Sequence, residues 1–193
     1  MNNVLPHTAA APADETGPGL EPLTFTLRPA TPADATSIDS LIHAYQAEGH
    51  LLPRQVDEIR ARAARFIVAE VDGQVKACAE LVPLSKRVAE VRSLVVATDA
   101  RRHGLATRLV DALAGNARSE GFSSLLALAH DPRFFIRHDF SIVPHEWLSE
   151  KIARDCHACP LFRNCGQQAM LLSLAARPAQ AVIRSPHVAV AVA

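Results

Sequence analysis

VVATDARRHGLATRLV, residues 95–110, decides how this chain folds. A strand ending in apolar residues runs into a loop of Arg101, Arg102, His103, Gly104, Leu105 and Ala106, which leads straight into a helix with Thr107 in its first turn. The first N–H groups of a helix lack internal acceptors and carry the positive end of its dipole. Beside small residues and arginines they suit a pyrophosphate. The loop therefore reads as an anion site, against the plainer reading of a strand-to-helix turn with solvated arginines. No Lys-Ser or Lys-Thr follows a second glycine, so it is not a P-loop, and it lacks the dinucleotide fingerprint.

Outward from that turn the elements come in mixed order. FTLRPA (25–30) is a short strand, and TPAD (31–34) starts a helix with Thr31 as cap, Pro32 at the first helical position and Asp34 three after the cap. Ile38, Leu41, Ile42 and Tyr45 follow at helical spacing, and Gly49 closes the helix. A second helix covers QVDEIRARAARF (55–66). FIVAEV, the turn dipeptide Asp72-Gly73 and QVKACAELVPL read as a hairpin, with VAEVRSLVVA (88–97) as the third strand of a meander. After the helix from Leu105 to about Glu120 come the strand SSLLALA, a helical turn at PRFFIRH, the strand FSIV, a helix around EWLSEKIARD, a cysteine segment and the strand QAMLLSL. This order predicts an α+β fold: one mixed, mostly antiparallel sheet flanked by helices, in a single domain over 23–174. Residues 1–22, rich in Ala, Pro, Gly and Thr, predict a disordered tail. A second tail covers 175–193, where HVAVAVA alternates like a weak strand.

Composition narrows the function classes. The 193 residues carry 20 basic and 20 acidic side chains, a balance with no electrostatic footprint for nucleic acid or an anionic membrane. No apolar run reaches the roughly eighteen residues of a membrane span, and the N-terminus has neither the basic start nor the apolar centre of a secretion signal. Cys78 lies far from Cys156, Cys159 and Cys165, so the four do not form a disulfide framework, and a cytoplasmic location is expected.

R-x-x-G-x-A after a strand ending in LVV resembles the coenzyme A loop of the GCN5-related N-acetyltransferases, and RFFIRHDF (133–140) resembles a second signature of that superfamily. Four further pieces are similar to the short, kinase-free N-acetylglutamate synthases: GHLLPR (49–54), AEVRSLVV (89–96), LALAHDPRFF (126–135) and DCHACPLFRNC (155–165). The resemblance spans about Phe25 to Leu174. It implies acetyl-CoA as co-substrate, threaded between the central strand and a splayed neighbour. The pantetheine would run along Leu94, Val95 and Val96, and the pyrophosphate would lie on Arg101, Arg102, His103, Gly104, Leu105, Ala106 and Thr107. It further implies the α-amine of L-glutamate as acceptor, in the first step of arginine biosynthesis. The runners-up are an acyltransferase of the same fold acting on another amine and a non-catalytic acetyl-CoA or amino-acid sensor. A homodimer is compatible with either.

Glu90 falls where the resembling enzymes carry their base, and the period-two strand geometry puts Arg92 on the same face. Arg92 is then a clamp for a substrate carboxylate, or half of a plain ion pair with Glu90. Arg54 is the second clamp by resemblance, since a guanidinium fork fits a carboxylate; from the residues alone it is a surface arginine at a helix start. Glu80, an acid in an apolar strand, reads as a second base, a partner for Arg92, or a solvent-facing side chain. Phe135 stands where the superfamily often has a tyrosine acid, and the chain's single tyrosine, Tyr45, lies in the first helix. Asp139 replaces the usual glycine before Phe140, which Asp tolerates if the backbone there is left-handed. No cysteine or serine is placed for a covalent relay, so direct attack is expected. Cys156, Cys159 and Cys165 fall one ligand short of a closed zinc site unless His157 or His145 completes it; packed thiols closing the C-terminal lobe are the preferred reading, and no metal is expected.

Overall fold

Asp72 and Gly73 take positive φ, 48° and 74°, the mirror-image turn that joins two strands by two residues without splaying them. The computed structural model, which describes residues 7–9, 23–46 and 53–175, builds outward from that hairpin. Its strands are β1 (His7–Ala9), β2 (Phe25–Pro29), β3 (Phe66–Val71), β4 (Gln74–Pro83), β5 (Val88–Val96), β6 (Ser124–Ala129), β7 (Ser141–Val143) and β8 (Gln168–Ser173). They form one sheet in the order β1-β2-β3-β4-β5-β6-β8-β7. Only β5 and β6 pair in parallel, and they are the pair joined through the long helix, as a parallel crossover requires. The expected mixed, mostly antiparallel sheet with flanking helices is what forms. Within the expected N-terminal tail His7–Ala9 instead pair with Phe25–Leu27 as an edge strand. The remainder of that tail, Gly49 to Leu52 and HVAVAVA lie outside the described residues.

The helices are α1 (Ala35–Gln46), α2 (Val56–Ala61), α3 (Leu105–Ser119), α4 (Arg133–Ile136) and α5 (Ser149–Arg154). Sheet alternation sorts their cores. Ile67, Ala69, Ala77, Ala79, Leu81, Ala89 and Val91 point to one face, where Leu105, Leu109 and Leu113 of α3 cover them. Val68, Cys78 and Val95 point to the other, under Ile38 and Ile42 of α1 and Ile59 of α2. On that second face Leu148, at the start of α5, packs on Leu126 and Ala169. Helices thus cover both ends of the second face, and among the described residues the floor between them is open.

The start of α1 is fixed by charge as well as by cap. Thr31 N–H donates to Asp34 Oδ2 at 2.7 Å, and Arg28 grips both Asp34 oxygens at 2.8 Å. Arg28's bonds hold the Asp34 carboxyl well below the usual carboxylate range against the opposing effect of burial, and Thr31 adds to them. A depressed folded value means that this stabilisation is complete above the unfolded value of about 3.9 and is lost as pH falls toward the folded one. Asp34→Asn is expected to cost about 1–2 kcal/mol at neutral pH. In urea denaturation the gap between the two proteins should close as pH drops below about 4.

Candidate active site

Two features of β5 shape the site. Glu80 faces Arg92 and Cys78 faces Val95, so Ser93 and Leu94 together oppose Ala79 alone. The extra residue is a bulge, with Ser93 at φ 53°. It resets the alternation, so Glu90 and Arg92 before it and Val95 after it share one face. The second feature is a parting of strands. β5 and β6 pair from Val88↔Ser124 to Val91↔Ala127 and no further, although the strands continue to Val96 and Ala129. Beyond Val91 the sheet opens into a gap of about 420 Å³ lined by Leu94, Val95, Val96, Leu128, Ala129 and Phe135.

Backbone groups face that gap. Ala97 N–H donates to Lys76 O at 2.7 Å, so ladder alternation turns the N–H and C=O of Val96 away from β4. The Val96 carbonyl accepts from Tyr45 Oη at 2.6 Å, and the Arg101 guanidinium lies 4.8 Å from the Tyr45 ring centre. A phenol therefore does reach the gap, from α1, while Phe135 lines it with an unsubstituted ring packed edge-on against Phe140. Asp139 has φ 62°, a left-handed backbone that Asp tolerates.

At the end of the gap the loop from Arg101 runs into α3. Arg102 and Gly104 take φ 67° and 76°, which turns successive N–H groups to one side, and α3 then begins at Leu105 with its first-turn N–H groups unspent. His103 is buried, and among the described residues its Nδ1 has no hydrogen-bond partner. Thr107 Oγ1 lies 3.1 Å from His138 Nε2. A concave run of donors with positive charge beside it can take a phosphate-bearing chain.

The uncovered floor on the second face is a cavity of about 500 Å³ that adjoins the gap, sharing Val91, Ser93, Leu128 and Gln167 with it. Glu90, Arg92 and Arg54, separated in sequence, meet in its wall. Arg54 is not a surface arginine. Its guanidinium donates to Glu80 at 2.9 Å, to Ser93 Oγ at 3.2 Å and to Glu58 at 2.9 Å. Burial works against its charge, but Glu80 and Glu58 outweigh that and raise its pKa. Glu80 is fully buried rather than solvent-facing. Its other oxygen lies 3.2 Å from Arg62 Nε, an ion pair without hydrogen-bond geometry.

Two residues that the sequence did not single out complete the wall. Lys151 Nζ lies 2.8 Å from Glu90 Oε1 and 2.9 Å from Asp155 Oδ2, and Arg92 Nη2 bonds Glu90 Oε2 at 2.5 Å and also Asp155. Glu90 and Lys151 are buried. Lys151 and Asp155 are one helical turn apart in EKIARD, a spacing that from sequence looks like a solvated charged face. The cysteine segment also belongs to this wall. Cys156, Cys159, Cys165 and Phe162 line the cavity, with two thiols half-buried and Cys165 exposed, rather than packing under the C-terminal lobe. Thiols and Ser93 thus line the same cavity as Glu90, although burial pushes the Cys156 thiol up, away from thiolate. Among the described residues no three His, Cys, Asp or Glu are placed to hold a metal ion, and no helix is long and apolar enough to cross a membrane.

The acetyltransferase (GNAT) family profile matches residues 34–138. An uncharacterized N-acetyltransferase of Chlorobaculum tepidum is 32% identical over 148 residues, which is 77% of this chain and 96% of that protein. An amino-acid acetyltransferase of Shewanella oneidensis is 32% identical over 127 residues, covering 65% of this chain but 28% of that longer protein. Among solved structures, N-acetylglutamate synthase from Neisseria gonorrhoeae, complexed with coenzyme A and N-acetyl-glutamate, superposes with a TM-score of 0.69 at 24% identity, over 78% of this chain and 35% of that one. At that identity it speaks for the fold.

Proposed function

The chain belongs to the acetyltransferase (GNAT) family and is an N-acetyltransferase, and from that premise we propose that it moves the acetyl group of acetyl-CoA to the α-amine of an acidic amino acid, L-glutamate foremost. The observation that carries this reading is the junction of two cavities: a backbone-lined gap between β5 and β6, and beside it a wall holding Glu90, Arg92 and Arg54. The amino-acid acetyltransferase relative supports an amino acid as acceptor. The catalytic unit is the folded domain over 23–174.

The gap fits an extended pantetheine, because Val96 offers main-chain groups between apolar walls, and the donors from Arg102 to Thr107 fit the pyrophosphate at its end. When bound, acetyl-CoA supplies the thioester carbonyl. Arg54 and Arg92 hold the acceptor by its carboxylates, which places the amine at the cavity junction and removes most of the entropic barrier to a bimolecular attack. Glu90 takes the amine proton, directly or through one water, as the nitrogen bonds to the carbonyl carbon and the carbon–sulfur bond breaks. Coenzyme A leaves as a thiolate; a thiol pKa near 8.5 makes that departure feasible without a tyrosine at Phe135.

Gly104→Val should weaken acetyl-CoA binding at least tenfold in calorimetry. A branched side chain disfavours φ 76° and crowds the backbone donors. Unchanged affinity would move the phosphate site elsewhere.

Two-substrate initial-rate kinetics with L-glutamate test the direct route. Intersecting lines are expected, with N-acetylglutamate as product. Parallel lines would mean an acetyl-enzyme and would turn attention to the cysteines of the cavity wall.

A further inference from the structure

Four charged side chains meet in the wall of the acceptor cavity: Glu90 and Asp155 against Arg92 and Lys151. The cluster is neutral as it stands, so a ligand carboxylate entering it would face two cations that already hold two carboxylates. Three anions on two cations, Lys151 buried and Arg92 half-buried, is a poor arrangement, because a charge left unmatched away from water is strongly disfavoured. One resident carboxylate has to leave, and the two differ in their freedom to do so. Glu90 is held within the ladder of β5, its side chain 4% exposed and bonded by both cations. Asp155 is 31% exposed and stands just past the last residue of α5, where the chain turns into the short helical turn Cys156–Ala158. Lys151 and Arg92 hold its carboxyl below the usual range in spite of burial, so it is an anion at neutral pH and matches an incoming carboxylate charge for charge.

We propose that Arg92 and Lys151 form the receptor for the acceptor's second carboxylate, and that Asp155 fills this receptor in the free protein and gives it up when a dicarboxylic acceptor binds. The proposal rests on the acidic-acceptor reading and adds to it the residue that enforces the choice. A monocarboxylic amino acid can satisfy Arg54 but brings nothing to exchange for Asp155, so the receptor stays closed to it. A diacid replaces one carboxylate with another and leaves the buried charges balanced. Asp155 also leads directly into the cysteine turn, so its release moves a segment that lines the cavity.

The sign of one substitution separates this role from simple bracing of the wall. Calorimetric titration of the full chain with glutarate, a dicarboxylate without the reacting amine, should show Asp155→Asn and Asp155→Ser binding about tenfold more tightly than wild type. That gain reflects the bonds of Arg92 and Lys151 to Asp155, which no longer have to be broken on binding. Butyrate affinity should not change, and adding Lys151→Met to Asp155→Asn should remove the gain. Glutarate binding that is equal or weaker in both Asp155 variants, with melting temperatures near wild type, would overturn the proposal even if wild type acetylates glutamate. If no variant binds any dicarboxylate and thiol release from acetyl-CoA runs on neutral or basic amines, the proposal falls together with the reading beneath it.

Discussion

Glu90→Gln is expected to lower the maximal rate of acetyl transfer by about 10²–10⁴-fold at neutral pH, because it keeps the side chain's shape and removes the proton acceptor. The rate should recover in part as pH rises and a growing share of the amine is deprotonated without help. The substitution also leaves Lys151 and Arg92 with one carboxylate instead of two, so part of the stability is lost as well. The readings separate cleanly: a melting temperature lowered by a few degrees reports the lost ion pairs, and a rate that climbs with pH reports the lost base. Neutral-pH turnover equal to wild type would remove Glu90 from the proton's path. Glu80 would be a poor replacement, since it is fully buried between Arg54 and Arg62 and does not line the acceptor cavity.

The largest loss of stability is expected at Glu80. Its carboxylate has no exposure and compensates two guanidinium groups, that of Arg54 with a side chain only 9% exposed. Glu80→Ala leaves Arg54 and Arg62 without it and opens a hole between β3 and β5. Removing one partner of a buried ion pair costs about 3–5 kcal/mol, which for a domain of this size lowers Tm by roughly 6–20 °C. Chemical denaturation with an unchanged slope should report it. The same variant should raise the acceptor's KM, because Arg54 is then free to leave its place at the cavity wall, while acetyl-CoA affinity changes little. A loss below about 1 kcal/mol, the range of a surface pair, would mean that the ion pairs around Glu80 are solvent-screened.

What the sequence disclosed and what it withheld follow from the range of the forces involved. The hairpin at Asp72-Gly73, the cap at Thr31 to Asp34 and the strand-to-helix turn at Arg101 to Leu105 are local. Their turn chemistry and periodicity lie within a few neighbouring residues, and the elements formed where that chemistry put them. The bulge at Ser93 and Leu94 is different. VRSLVV reads as an unbroken strand with no glycine to mark an irregularity, and the bulge shows only in the register against β4. Lys151 and Asp155 were invisible for a related reason: a charged pair at helical spacing looks solvated until the fold buries Lys151 against Glu90 and brings Asp155 to Arg92. The predicted helix around EWLSEKIARD also breaks into a short turn at His145–Trp147 and α5, which sets Leu148 into the core between them. The cysteines carried a strong local spacing signal, yet nothing in that spacing says which surface the segment covers. Tyr45 took its place by helical periodicity, but its bond to the Val96 carbonyl spans 51 positions of sequence.

Within the cavity, the roles proposed for Glu90, Arg54 and Arg92 converge on one property, selection of an amine that carries two carboxylates. Thiol release from acetyl-CoA, followed over a panel of L-glutamate, L-glutamine, L-2-aminobutyrate, spermidine and a peptide N-terminus, measures that property directly. The expected result is saturable release with L-glutamate, exceeding L-glutamine and L-2-aminobutyrate by at least tenfold in kcat/KM, with the preference lost in Arg92→Met. Faster release with spermidine or the peptide than with L-glutamate would contradict the account.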